Sequence, residues 1–85
     1  MAWFVYILKC GDDTLYTGIT TDIPRRLSVH ESGKGAKYTK GRGPLALVYQ
    51  EECSNRSMAS KREIEIKALP RSDKEILINA ELLSL

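Results

Sequence analysis

The chain is 85 residues long, with 42% hydrophobic and 28% charged residues and a formal net charge of +2. That is enough for one domain, residues 1–85, with a modest core and an ordinary globular composition. No apolar run approaches the roughly 20 residues that span a bilayer. Ala2–Leu8 lacks a basic leader, and Cys10 and Cys53 are too few for a disulfide framework or a structural zinc site. A cytoplasmic protein with free thiols and no membrane contact is expected.

In chain order, Trp3–Leu8 is aromatic and β-branched and reads as a strand. Gly11-Asp12-Asp13 is turn chemistry, and Leu15–Thr20 returns as a second strand. Thr21 or Asp22 caps a helix with Pro24 in its first turn; Ile23 and Leu27 mark its apolar stripe, and Gly33 ends it. Residues 33–44 form a glycine-rich basic loop closed by Pro44, and Leu45–Gln50 is a third strand. Ser54 or Asn55 opens a second helix, which stops before Pro70. Ser72-Asp73-Lys74-Glu75 reads as a capping box that starts a third helix. The order ββαβαα predicts an α+β fold, a three-stranded mostly antiparallel sheet flanked by three helices.

A three-residue hairpin loop would set Tyr6 opposite Gly18 and Leu8 opposite Tyr16, so that Tyr6 and Tyr16 share a face. A loop one residue shorter or longer would separate them. Arg26 and His30 are i, i+4 neighbours beside the Ile23–Leu27 stripe, where an arginine can hold a phosphate and a histidine can handle a proton. Arg25 points nearly away from that stripe. On the second helix, Met58, Ala59, Ile66 and Leu69 share a stripe, with Glu63 on one flank and Glu65 on the other. Periodicity does not choose between them. Either carboxylate suits Mg²⁺ or Mn²⁺, which take one or two protein carboxylates and fill the rest with water and phosphate. Residues 25–42 gather Arg25, Arg26, Lys34, Lys37, Lys40 and Arg42 against Glu31 alone, in a chain otherwise richer in acids. Such a basic stretch points to a polyanion.

Phe4-Val5-Tyr6 and Tyr16-Thr17-Gly18 resemble the two tripeptides that name the GIY-YIG nuclease superfamily, in degenerate form. Arg26 and His30 fall where that family carries an arginine and a His/Tyr. Gly35-Ala36-Lys37-Tyr38-Thr39 with Pro44 resembles the basic loop of its structure-specific endonuclease branch. Ala59-Ser60-Lys61-Arg62-Glu63 is similar to that branch's Ala-x-x-x-Glu, which selects Glu63. The chain is most similar to the small single-domain bacterial group called UPF0213.

The resemblance implies metal-dependent endonuclease-like cleavage of phosphodiester bonds, of DNA in the first instance, selective for structure over sequence. It implies a catalytic set of Tyr6, Tyr16, Arg26, His30 and Glu63, with Glu63 holding one Mg²⁺ or Mn²⁺. A cation beside Tyr6, the metal or Arg26, must then help its phenol ionise. Lys34, Lys37, Lys40 and Arg42 would touch backbone phosphates, and Tyr38 would stack on a base. The alternatives are a non-catalytic nucleic-acid-binding module and an interaction subunit that needs a protein partner or a second copy of itself.

Overall fold

The computed structural model describes residues 2–35 and 39–83. Its elements are β1 (Trp3–Lys9), β2 (Leu15–Thr20), α1 (Ile23–Glu31), β3 (Ala46–Cys53), α2 (Arg56–Ala68) and α3 (Arg71–Leu83). The strands form an antiparallel sheet in the order β2-β1-β3, so the first strand is central.

The hairpin has the three-residue loop. Tyr6 faces Gly18 and Leu8 faces Tyr16, and the Cys10 N–H donates to the Thr14 carbonyl at 2.8 Å. Asp13 takes the left-handed conformation at φ 70, which aspartate tolerates in turns. The Asp12 carboxylate accepts from the Thr14 hydroxyl at 2.6 Å, fixing the turn locally.

β3 begins at Ala46 and runs to Cys53, three residues past the expected end at Gln50. Its polar second half is held by backbone pairing: Glu51 lies opposite Val5 and Glu52 opposite Phe4. Edge strands accept charged side chains, which hydropathy reads as loop. Ile7 pairs with Tyr49 and Leu8 with Leu47, so Val48 is a bulged extra residue. The bulge turns both Val48 and Tyr49 toward one core.

That core lies on the sheet face covered by α2 and α3, with Val5, Ile7, Tyr49, Ala59 and Ile66 buried and Leu77 and Ile78 packed against them. The opposite face joins Tyr6, Leu8 and Ile23 with Phe4, Tyr16, Leu27 and Leu45, and α1 covers it. Met58 does not join the buried stripe of α2 and is 50% exposed. A turn of about 100° per residue carries it past the line of Ala59 and Ile66 that meets the sheet.

Asp22 caps α1, its carboxylate accepting the Arg25 N–H at 3.2 Å. Gly33 follows the helix at φ +81, which glycine enters without strain. There the Lys34 N–H returns to the Val29 carbonyl at 3.2 Å and the Gly33 N–H to the His30 carbonyl at 3.0 Å, a Schellman closure. Asn55 caps α2 by accepting the Met58 N–H at 2.9 Å. The expected capping box at Ser72 is not made, because α3 is already helical at Arg71. The Pro70 carbonyl instead receives the Asp73 and Lys74 N–H groups at 3.0 and 3.1 Å. Arg71 ties this helix start to the hairpin turn, donating to the Asp13 carbonyl at 2.6 Å. Cys10 and Cys53 are both free thiols.

Candidate active site

Tyr6 is buried at 2% exposure in the middle of β1. Its phenol lies over Gly18, where an added Cβ would come within 2.6 Å of the Tyr6 oxygen and 3.1 Å of Tyr16 Cε2. Only a residue without a side chain leaves that space. Tyr16, on β2, stands beside Tyr6 with ring centroids 6.4 Å apart.

α1 supplies the next two groups. His30 is 1% exposed, and its Nε2 is 2.9 Å from the Tyr6 hydroxyl. Its ring meets Tyr16 edge-on at 5.2 Å between centroids. On the far side its Nδ1 is 2.8 Å from the Thr39 hydroxyl. Arg26, one turn earlier and half-buried, places its positive charge near the Tyr6 phenol. Burial raises the Tyr6 pKa, and the nearby Arg26 opposes that rise. Burial and then the Arg26 charge both hold His30 below its ordinary value. The resting pair is therefore a neutral phenol beside a neutral imidazole. Arg26 acts in the direction expected of a cation beside Tyr6, without cancelling the effect of burial.

From α2, Glu63 lies close enough for its charge to raise the Tyr6 pKa further. Its side chain is 23% exposed, against 67% for Glu65. Lys67 pairs with Glu63 from one turn along at 3.6 Å, while Glu65 faces Arg62 at 3.9 Å. Tyr6, Tyr16, Arg26, His30 and Glu63 thus come together from four elements. Among the described residues no group of three or more His, Cys, Asp and Glu side chains gathers in one place. A single half-buried carboxylate fits an ion that takes most of its ligands from water and phosphate, and does not fit one caged wholly by protein.

Next to this group, a cleft of about 470 Å³ is lined by Thr20, Thr21, Asp22, Arg25, Arg26 and Val29. Arg25 shares it with Arg26, although the helical wheel sets the two on different faces. Their long side chains converge where β2 ends and α1 begins.

The basic loop divides. Lys34 and Lys40 are exposed. Arg42 is ion-paired with Asp12 of the hairpin turn, so its guanidinium braces the loop. The Arg42 carbonyl also receives the Gly11 N–H at 2.6 Å. Lys37 and Tyr38 lie outside the described residues. Thr39 and Gly35 are the residues that sequence reasoning missed at the site. Thr39 is 2% exposed, and a Cβ at Gly35 would collide with His30 Nδ1. Neither carries a periodic or charged signal; each matters only because the loop folds back over His30.

A fold with this cluster is that of the GIY-YIG catalytic domain, whose family model matches residues 2–76. The chain belongs to that family, a nuclease superfamily. Its similarity is to UPF0213 proteins. One from Desulfotalea psychrophila is 58% identical over 93% of this chain and 73% of the relative. Another, from Natronomonas pharaonis, is 51% identical over 92% of both chains. The solution NMR structure of a UPF0213 protein from Bacillus halodurans shares 49% identity with a TM-score of 0.61, covering 94% of this chain and 85% of that one. The solution NMR structure of a protein from E. faecalis shares 38% identity with a TM-score of 0.67, covering 98% and 88%.

Proposed function

We propose that this protein hydrolyses phosphodiester bonds of nucleic acid, DNA in the first instance, with one divalent ion and with selectivity for shape over sequence. The observation that carries the reading is the 2.9 Å contact between the Tyr6 hydroxyl and His30 Nε2, with Arg26 and Glu63 acting on the same phenol.

A water in line with phosphorus gives a proton to the Tyr6 oxygen as Tyr6 passes its own proton to His30 Nε2. This relay needs no free tyrosinate, which suits a phenol whose pKa burial has raised. The water oxygen bonds to phosphorus, the bond to the 3′ oxygen breaks, and that oxygen takes a proton from solvent. Arg26 stabilises the charge gathering on the phosphoryl oxygens. Glu63 would hold the Mg²⁺ or Mn²⁺, which when bound supplies Lewis-acid stabilisation of the leaving oxygen. Tyr16 walls the phenol on the β2 side and keeps it aimed. Lys34 and Lys40, with Lys37 and Tyr38 from the same loop, would meet the nucleic-acid backbone and a base. Contacts of that kind carry no sequence code.

The test is cleavage of plasmid and branched DNA with Mg²⁺ or Mn²⁺ by wild type and Glu63→Ala. Wild type should cut and the variant should bind DNA without cutting. Equal cutting by both would remove Glu63 from the mechanism, and no cutting of any substrate by wild type would remove the reading.

A further inference from the structure

His30 is enclosed on every side the structure describes. It is 1% exposed, and Thr39, its partner from the loop, is 2% exposed. Gly35 presses against the same edge of the ring, leaving room at Nδ1 for the Thr39 hydroxyl and not for a Cβ at position 35. Both ring nitrogens are engaged, Nε2 with Tyr6 at 2.9 Å and Nδ1 with Thr39 at 2.8 Å.

A neutral imidazole has one N–H, so one nitrogen donates and the other accepts. Both partners are hydroxyls, which can do either, so the two distances alone leave two arrangements open. The acidity of the two hydroxyls decides between them. A phenol, with an ordinary pKa of about 10, is far more acidic than an aliphatic hydroxyl, so Tyr6 is the better donor and Thr39 the better acceptor. Tyr6 turns its hydrogen to His30 Nε2. Nε2 therefore carries the lone pair, Nδ1 carries the hydrogen, and Thr39 Oγ1 must accept it.

We propose that Thr39 is a positioning residue whose hydroxyl oxygen accepts the His30 Nδ1–H and locks the imidazole in the tautomer that presents a bare Nε2 to Tyr6. Its catalytic consequence rests on the proton relay proposed above; the tautomer itself does not. With Thr39 in place, His30 is ready to receive a proton at Nε2, and the Nδ1–H bond to Thr39 strengthens as the ring becomes cationic. Without the hydroxyl, a buried Nδ1–H would lose the Thr39 acceptor, and the ring would shift toward Nε2–H, which blocks transfer from Tyr6. The hydroxyl is placed by the hairpin turn. Gly11 and Asp12 hold Arg42, and the Arg42 N–H reaches the Thr39 carbonyl at 3.2 Å.

His30 is the sole histidine of the chain, so its imidazole ¹⁵N shifts report the tautomer without interference and without any activity. The spectra are compared for full-length wild type, Thr39→Val and Thr39→Ser, at a pH above the imidazole titration. Wild type should be mainly Nδ1–H, Thr39→Ser the same, and Thr39→Val shifted roughly tenfold toward Nε2–H. A wild-type ring in the Nε2–H form overturns the proposal, as does a folded valine variant with an unchanged ratio. If the valine variant fails to fold, loss of the wild-type ratio in the serine variant overturns it. In the cleavage assay the valine variant should lose kcat with little change in KM, and serine should restore it. If wild type cuts nothing, the nuclease reading falls while the ¹⁵N spectra still decide the role of Thr39.

Discussion

Gly18 shows how much a single position controls. Its missing side chain is the floor on which the Tyr6 phenol rests. Gly18→Ala forces the ring off His30, and we expect a loss of about 1–3 kcal/mol in stability, the usual cost of overpacking. Cleavage should fall in parallel while DNA binding through the loop persists. Urea unfolding and a nicking assay check the two halves; a stable, fully active alanine variant would show that the floor is not needed. The tyrosine pair was legible in the sequence once a three-residue loop was assumed, because strand alternation then fixes the shared face. The choice between Glu63 and Glu65 was not legible in periodicity, since both flank the same stripe, and only the resemblance of the Ala59–Glu63 motif made it. Which flank lies beside Tyr6 depends on how α2 crosses the sheet, a tertiary matter. Thr39 stood in the loop motif, but its contact with His30 was hidden for a similar reason. Its partner sits nine residues away across a loop, and loops carry no period.

At the scale of elements, the caps settle choices that the sequence left open. Asp22 serves in place of Thr21 and Asn55 in place of Ser54. Asn55→Ala removes the acceptor for the Met58 N–H. It should cost about 1 kcal/mol, which in a domain of this size lowers Tm by roughly 4–8 °C. A thermal melt of the variant measures it, and an unchanged Tm would mean that water replaces the cap at no cost. The element order was legible throughout, since each strand and helix has its own punctuation in Gly, Pro or a capping residue. The ends were less so. The polar half of β3 hides its strand character because an edge strand needs only backbone pairing there. Ser72 looks like a cap only until Pro70 is seen to supply its carbonyl one turn earlier.

Across the whole molecule, the site exists only where the two sheet faces communicate. Tyr6 and His30 lie on the α1 face, and Glu63 comes from α2, which packs on the other. Central β1 joins both cores. Its amides at Val5–Leu8 lie among fully buried side chains and are bonded within the sheet. They should exchange with solvent most slowly of all described positions, at the free energy of global unfolding, while those of the hairpin turn exchange far faster. Hydrogen-exchange NMR checks this; protection of β1 no greater than that of β2 would contradict it. The central place of β1 has one more result, during synthesis. β1 leaves the ribosome before its two partner strands and can pair with β2 almost at once. Its other edge stays open until Ala46–Cys53 has followed. For that interval a nascent chain carries a bare apolar strand edge, the kind of surface that chaperones cover and that crowded chains join by mistake.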